Sequence, residues 1–427
     1  MNRDHKENNG GEEFRNLFRS FRYRNYRLFF SGQSLSLIGT WIQQIAIPWL
    51  VYRLTGSPVW LGVVGFCTQI PAFLLAPYAG VMIDRWNRYR VLVATQVCAM
   101  IQAFALALLY YTHVIRIWQI VALGIFLGIV NAFDMPARQS LVIKLVEKRE
   151  DLGNAIALNS TMVNLARLLG PSIAGVLIAL TNEGFCFLCN GISFFFVILS
   201  LLMMNFSFER APKTKAHVLQ EFKMGFSYVF GFIPFRYVIL LLALVSLMGS
   251  PYAVLMPVFA REVLHGGSYT FGFIMGSSGV GALIGAFYLA SRKTVSGLEK
   301  VIPVAALVFG AGLVAFSFSR IMTLCCLLMF VVGFGMTVGM ASSNTLIQTL
   351  ADDDKRGRVM SFYTMAFIGS VPIGSLFSGI MAEHIGAPGA LLTGGVACIL
   401  GAIVYILNLP KLKKMVLPFY RRMGMID

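Results

Sequence analysis

Twelve apolar runs of about 18 to 25 residues constrain this chain more than any other feature of its sequence. A run of that length crosses a hydrocarbon core of about 30 Å as an α-helix. Inside lipid, a single run satisfies its own N–H and C=O groups only as a helix. We therefore predict an all-α membrane protein with twelve spanning helices, at residues 28–52, 60–83, 91–111, 118–145, 155–180, 185–204, 237–259, 271–290, 301–318, 322–350, 359–381 and 391–407.

The charge of the chain indicates membrane topology. Its net charge of +16 would suit a nucleic-acid partner, but the basic residues lie in short gaps between apolar runs, without interleaved aromatic residues for base stacking. Basic residues mark the cytoplasmic side because they resist translocation. Every second gap holds several of them, whereas the other gaps hold only Arg53, Arg116, Arg261 and Arg320. This predicts cytoplasmic termini and no nucleic-acid partner.

The runs divide six and six around a polar stretch, which is typical of a duplicated unit. We predict two six-helix bundles related by a pseudo-twofold axis. The expected segments are a basic cytoplasmic N-terminus at 1–27, a bundle at 28–205, a cytoplasmic loop at 206–236, a second bundle at 237–408 and a basic cytoplasmic tail at 409–427.

A weak internal repeat supports the duplication. Shifting the sequence by 205 residues, which is 333 minus 128, places Gly128 over Gly333. One gap later, the element from Gly170 to Gly175 meets the element from Gly374 to Gly379. The agreement of spacing and glycine position favours a repeat over chance apolar matching.

The loop after the second run resembles the signature G-x-x-x-D-R-x-G-R of the major facilitator superfamily. The stretch G-V-M-I-D-R-W-N-R keeps Gly80, Asp84, Arg85 and Arg88, but has Asn87 at the second glycine. We expect Asn87 to tolerate the positive φ of a tight turn. The resemblance implies a gate in which Asp84 meets the amino end of the eleventh helix and the arginines pair with nearby acids. The alternative is a plain positive-inside stop signal.

Two further stretches sharpen the resemblance: N-A-F-D-M-P-A-R-Q-S-L-V at 131–142 and N-S-T-M-V-N-L-A-R-L-L-G-P-S-I-A-G at 159–175. They look like the branch that includes macrolide efflux proteins and the enterobactin exporter. The resemblance implies efflux across a bacterial cytoplasmic (inner) membrane. Glycine permits close helix contact and proline opens the backbone ladder. We therefore predict hinge positions at Pro136, Gly170, Pro171 and Gly175.

Three charges are predicted inside spans. Asp134 is the one acidic residue that hydropathy places there, and Arg138 lies one turn further along the same face. Asp134 is either a proton carrier or a permanent partner of Arg138. Arg167, near the middle of the fifth helix, attracts an anionic substrate group, pairs with Asp134 or caps carbonyls freed by Pro171. We also predict that six residues line a substrate cavity: Trp41, Gln43, Gln44, Asn131, Asn159 and Asn344.

No phosphate-binding loop, zinc motif or catalytic triad is recognisable, so neither an enzyme nor a cofactor or metal site is predicted. The main hypothesis is a monomeric exporter that moves amphipathic drug-like molecules or secreted metabolites by proton-coupled antiport, in contact with membrane lipids. A siderophore exporter and a lysophospholipid translocator remain alternatives. A membrane receptor or scaffold that transports nothing is the hypothesis from a different class.

Overall fold

The computed structural model describes residues 19–204, 226–292, 294–352 and 355–422, and nearly all of them are helical. Each apolar run forms a helix, because only a helix pairs every backbone group within one run. The helices of the first half are α1 (Arg24–Thr55), α2 (Pro58–Arg85), α3 (Arg88–Tyr111), α4 (Ile117–Lys144), α5 (Arg149–Leu180) and α6 (Glu183–Leu202).

The second half repeats this pattern with α7 (Ile233–Val263), α8 (Ser268–Ala290), α9 (Leu298–Phe318) and α10 (Met322–Leu350). The next helical stretch begins at Arg356 and continues to Arg422, but it is broken at Gly386, where φ is 74°. That left-handed conformation suits glycine, and it separates α11 (residues 356–385) from α12 (residues 387–422). The prediction of an all-α protein with twelve spanning helices is confirmed.

The connections between helices lie at two opposite ends of the molecule. We call the end that holds the start of α1 and the connections at 85–88 and 144–149 the terminal end. The other end, with the connections at 55–58, 180–183 and 263–268, is the distal end. Large apolar side chains such as Ile101, Phe195 and Leu400 are exposed between the two ends. Lipid chains would cover such side chains in a membrane.

The two halves use equivalent contacts, as a duplicated unit requires. Gly128 of α4 packs against Thr68 of α2, and Gly333 of α10 packs in the same way against Ser278 of α8. These are the glycines that the shift of 205 residues, 333 minus 128, superimposes. The pseudo-twofold relation of the two six-helix bundles is therefore confirmed at individual residues.

Three apolar cores organise the bundles. One core lies at the distal end and draws residues from both halves, among them Leu50 and Phe187 of the first and Phe259 and Phe316 of the second. At the terminal end, by contrast, each half has a core of its own. The halves are therefore joined at the distal end and packed separately at the terminal end.

Several helix boundaries in the structure differ from the predicted ones. Helix α1 begins at Arg24 rather than at residue 28, and α7 continues to Val263 rather than ending at 259. Residues 409–422 of the predicted tail continue α12, with Leu412, Val416 and Tyr420 buried. The N-terminal segment 1–18 and residues 205–225 of the central loop lie outside the described residues. The compartments assigned to these segments stay predictions.

Equivalent tyrosine clamps hold the segment before the first helix of each half. Tyr23 donates a hydrogen bond of 2.7 Å to Asp151 at the start of α5. Tyr228 donates a hydrogen bond of 2.9 Å to Asp352, just before α11. In both clamps a cation lies over the tyrosine ring, Arg22 in the first and Lys355 in the second. The Lys355 ammonium and the Tyr228 hydroxyl lower the pKa of the Asp352 carboxyl by binding its charged form.

The two clamps are expected to differ in strength. The Asp151 side chain is 4% exposed and that of Asp352 is 50% exposed, so water replaces a lost donor only in the second clamp. We predict that Tyr23→Phe lowers the melting temperature of the detergent-purified protein by a few degrees, and Tyr228→Phe by less. Tyr78→Phe, at an exposed tyrosine, is the control. Equal effects of Tyr23→Phe and Tyr228→Phe would contradict the prediction.

The pH dependence of the second clamp follows from the lowered pKa of Asp352. A carboxyl whose pKa is lowered by folding stabilises the fold above its ordinary pKa and loses that contribution as the pH falls through the lowered value. The effect of Tyr228→Phe should therefore disappear in strongly acidic buffer.

Candidate functional site

The boundary between the two halves is the candidate site, because the predicted transport of a molecule would take place between the two bundles. Helix α5 crosses α8 there without intervening side chains. A methyl group built on Gly175 would lie 2.8 Å from the carbonyl oxygen of Ser268 and 2.9 Å from the Cα of Gly272. The Ser268 hydroxyl donates a hydrogen bond of 3.1 Å to the carbonyl oxygen of Gly175. Small residues let the two backbones approach this closely.

The pseudo-twofold axis places a second crossing between α2 and α11. A methyl group on Gly379 would lie 2.7 Å from the carbonyl oxygen of Pro58 and 3.0 Å from the Cα of Gly62. Gly379 is the residue that the sequence repeat matches to Gly175. The halves therefore meet through two equivalent glycine crossings near the distal end.

The other predicted hinge residues lie nearby or on α4. Gly170 is buried and packs against the Cβ atom of Trp41 on α1. Pro171 is also buried, and its carbonyl oxygen faces Gly272 across the boundary. Pro136 lies within the continuous helix α4. Their roles as hinges stay predictions.

Polar side chains close the distal end above these crossings. The Tyr52 hydroxyl of α1 donates a hydrogen bond to Glu262 of α7, and Arg261 lies over the Tyr52 ring. The Ser57 hydroxyl donates a hydrogen bond of 2.9 Å to Glu383 of α11. Each of these hydrogen bonds joins one half to the other. We call this set of residues the distal gate.

Glu262 also corrects the prediction that Asp134 is the only acidic residue inside a span. Since α7 continues to Val263, its last turn carries Glu262 into the membrane-spanning segment. Glu262 is exposed, whereas Glu183, at the first position of α6, is buried, with the Arg53 guanidinium 3.1 Å away. Hydropathy missed both acids because each lies within a turn of a helix end, outside its apolar run.

Asp134 and Arg138 form the predicted ion pair on α4. The Asp134 carboxylate also accepts hydrogen bonds of 2.9 Å from Thr95 and 2.6 Å from Gln96, both on α3. Asp134 is buried, and all of these partners belong to its own half. No sequence pattern distinguishes Thr95 and Gln96, since polar residues within spans are too frequent to single them out. The arrangement fastens α3 to α4.

Arg167 lies on the boundary between the halves. Its guanidinium is partly buried and contacts the sulphur atom of Met336 on α10 at 3.9 Å. The neighbouring residue Leu168 packs against Gly279 of α8. Arg167 therefore faces the opposite half, and the predicted alternative of a pair with Asp134 is not what the structure forms.

The predicted cavity residues separate into distinct environments. Gln43 is buried within the first bundle, where it donates to Gln102 at 3.0 Å and accepts from Asn190 at 2.8 Å. These bonds make Gln43 a packing residue and correct its assignment to the cavity. Gln44 and Asn131 are exposed, and Asn159 is half-buried. Asn344 is half-buried on α10 and accepts a hydrogen bond from Gln348, one turn away.

The predicted inner gate is only partly described. Gly80, Asp84 and Arg85 occupy the last turns of α2, and their side chains lie outside the described residues. Arg88 begins α3. Asn87 does not adopt the expected positive φ. Its φ is −72°, and its side chain caps α3 by accepting from the backbone N–H groups of Tyr89 and Arg90 at 3.1 and 3.2 Å. Asparagine therefore acts as an N-cap at this position.

Comparison with known proteins places the chain among transporters. The family model described as transmembrane secretion effector matches residues 16–421. The staphyloferrin A transporter of Staphylococcus aureus is 28% identical over 390 residues, which is 91% of this chain and 97% of that protein. The multidrug efflux pump Tap of Mycolicibacterium fortuitum is 22% identical over 88% of this chain and 93% of its own length. Macrolide efflux protein A of Streptococcus pyogenes is 24% identical over 36% of this chain and 39% of its own.

Solved structures show the same fold. A transporter of the POT family, in complex with 5-aminolevulinic acid, superimposes with a TM-score of 0.76 at 11% identity, over 91% of this chain and 96% of its own. A bacterial homologue of the iron transporter ferroportin, in an inward-facing state, superimposes with a TM-score of 0.68 at 18% identity, over 90% of this chain and 98% of its own. The predicted resemblance and the prediction of a non-enzyme are both confirmed. The chain belongs to the transmembrane secretion effector family of major facilitator transporters and is a membrane transporter of the efflux or secretion type.

Proposed function

We propose that this transporter exports a small amphipathic molecule by alternating access, with its terminal end toward the cytoplasm. The supporting observation is the arrangement of the cores, one shared at the distal end and two separate at the terminal end. An interface between rigid bundles has two discrete arrangements rather than a continuum. The described arrangement is the inward-open one. Rocking about the glycine crossings converts it to the outward-open one.

The substrate class follows from the family and its relatives. These are named for a staphyloferrin, for macrolides and for multiple drugs. Secreted metabolites and drug-like amphiphiles share an apolar body and a few polar groups. A siderophore is the narrower candidate, because the staphyloferrin A transporter aligns over 91% of this chain.

Proton antiport is the proposed source of energy. A proton carrier must meet a different environment in each state. Every described partner of Asp134 lies in its own half, which favours the permanent ion pair over the carrier. Glu262 binds Tyr52 of the opposite half, so its surroundings change when the distal gate opens.

Two pairs of labels test the proposal. Cysteines at Gly153 and Gly357 report on the terminal end, since a side chain at either glycine meets no atom within 4 Å. Cysteines at Leu54 and Ile385, both exposed, report on the distal end. We expect the distance within one pair to lengthen while the other shortens, when spin-labelled protein in liposomes is given a pH gradient and a panel of amphiphiles. Fixed distances in both pairs, with no uptake of any compound, would support the scaffold hypothesis instead.

A further inference from the structure

Arg167 is the mid-span charge that the described ion pairs leave without an acidic partner. Helix α5 runs from Arg149 to Leu180, so Arg167 lies near its middle. Its one described hydrogen-bond contact is a weak one, to the thioether of Met336. Asp134, the acid inside an apolar run, is already bound to Arg138, Thr95 and Gln96.

The balance of charge at this depth is positive. Within the twelve predicted apolar runs, leaving aside Lys144 at the end of its run, the charged residues are two arginines, Arg138 and Arg167, and one aspartate, Asp134. Two positive charges and one negative charge leave a net charge of +1. A charge inside a span is expensive unless it meets a partner or a watery cavity, and such a residue usually marks a substrate or ion pathway. The missing partner of Arg167 is therefore expected to be an anion that binds and dissociates.

The surroundings of Arg167 suit a molecule with an apolar body. Met336, on the opposite side of the boundary, is flexible and polarisable, and such side chains adapt to varied apolar surfaces. Trp41 packs against Gly170, one turn from Arg167 on α5. A cation beside a thioether, with an aromatic ring packed one turn along the same helix, matches an amphipathic anion.

The number of charges selects the anion. The guanidinium fork matches the two oxygens of a carboxylate in a bidentate pair. One carboxylate neutralises the net charge of +1, whereas a doubly charged phosphate would leave an excess negative charge in a low-dielectric region, where charge is costly.

We propose that Arg167 binds a carboxylate group of the exported molecule, at the boundary between α5 and α10, and so selects anionic amphiphiles. This inference rests on the proposed export function and names its substrate class. Arg167 lies about two turns on the terminal side of the Gly175 crossing, and the halves pack separately at the terminal end, so the anion enters from that side. The pair of Arg167 and the bound carboxylate has no net charge. When the terminal end closes and the distal end opens, the carboxylate becomes accessible from the other side of the membrane.

Paired ligands test the assignment. A series of N-acylglycines, from benzoyl to lauroyl, is titrated into detergent-purified protein, each acid beside its neutral glycinamide. The native protein is expected to prefer the acid in at least one pair by about 10- to 100-fold, the range that a hydrogen-bonded charge contributes. Arg167→Met, which removes the charge and keeps an apolar chain, should abolish that preference. Arg167→Lys should retain part of it, and Arg24→Met, at an exposed arginine, should leave it intact.

Three results would overturn the assignment. Native protein that binds no acid better than its amide has no anion site. If the Arg167→Met protein keeps the native preference for the acid over its amide, the anion site lies elsewhere. If the Arg167→Met protein binds the acid and the amide equally more weakly and has a lower melting temperature, the role of Arg167 is structural. Selective binding without gradient-driven uptake would instead contradict the proposed export function and leave the anion site standing, because binding is measured without transport.

Discussion

Gly175→Leu is expected to hold the distal end open and to stop export. Even the first carbon of the new side chain would lie 2.8 Å from the carbonyl oxygen of Ser268 and 2.9 Å from the Cα of Gly272. Both are backbone atoms, so neither moves aside by rotating a side chain. Overpacking costs about 1–3 kcal/mol, and 1.4 kcal/mol corresponds to a factor of about ten in an equilibrium. The inward-open population should therefore fall by about tenfold or more.

The measurement is the distance between spin labels at Leu54 and Ile385, together with uptake into liposomes. Gly153→Leu is the matched control, because it makes the same change on the same helix at a site with no atom within 4 Å. A distal distance that stays short in Gly175→Leu would show that the crossing does not set the closed state.

The pseudo-twofold relation extends this prediction to the second crossing. Gly379→Leu places its first side-chain carbon 2.7 Å from the carbonyl oxygen of Pro58, and it should open the distal end as Gly175→Leu does. Gly357→Leu, at an open position of α11, serves as its control. An effect at only one crossing would mean that the halves turn about one contact rather than two.

Asp134→Asn is expected to destabilise the protein strongly, and a second substitution should restore most of the loss. Removing one member of a fully buried ion pair costs about 3–5 kcal/mol, because the remaining charge is left without its partner, and the 28% exposure of the Arg138 side chain lowers that cost. Arg138 would keep its charge in a region where its Nε atom already has no hydrogen-bond partner. In the double variant Asp134→Asn with Arg138→Gln, both charges are gone and two amides of similar size remain.

The melting temperature in detergent and uptake under a pH gradient separate the two roles of Asp134. If Asp134 and Arg138 form a structural pair, the single variant should have a low melting temperature. The double variant should recover most of that temperature and should still take up substrate along the pH gradient. A proton carrier predicts that the double variant is stable but no longer follows the gradient. Asn131→Asp, at an exposed position of the same helix, tests whether any new carboxylate on α4 alters coupling.

The distal gate was beyond prediction from the sequence. Tyr52 and Glu262 are separated by 210 residues, and Ser57 and Glu383 by 326. Nothing local in either stretch distinguishes these residues from ordinary residues at a helix end. Gln43 illustrates the opposite error. A glutamine within a span is consistent with a cavity or with a buried amide network, and only the positions of Gln102 and Asn190 decided for the network.

The number of helices, the division into two halves and the glycines of the repeat were predictable from the amino-acid sequence alone. These properties follow from local physics, since an apolar run in lipid must be helical and close helix contact requires small residues. The pair of Asp134 and Arg138 was also predictable, because one helical turn brings such residues together.

The surfaces through which the helices meet became known from the three-dimensional packing and not before. Helix packing in lipid depends on shape and on a few polar contacts rather than on a hydrophobic pattern, because the lipid-facing and protein-facing sides are similarly apolar. The crossing partners Gly272 and Gly62, the distal gate and the isolation of Arg167 therefore arise from residues far apart in the chain. Their roles become visible only when both bundles are in place, because each one depends on the relation between the halves.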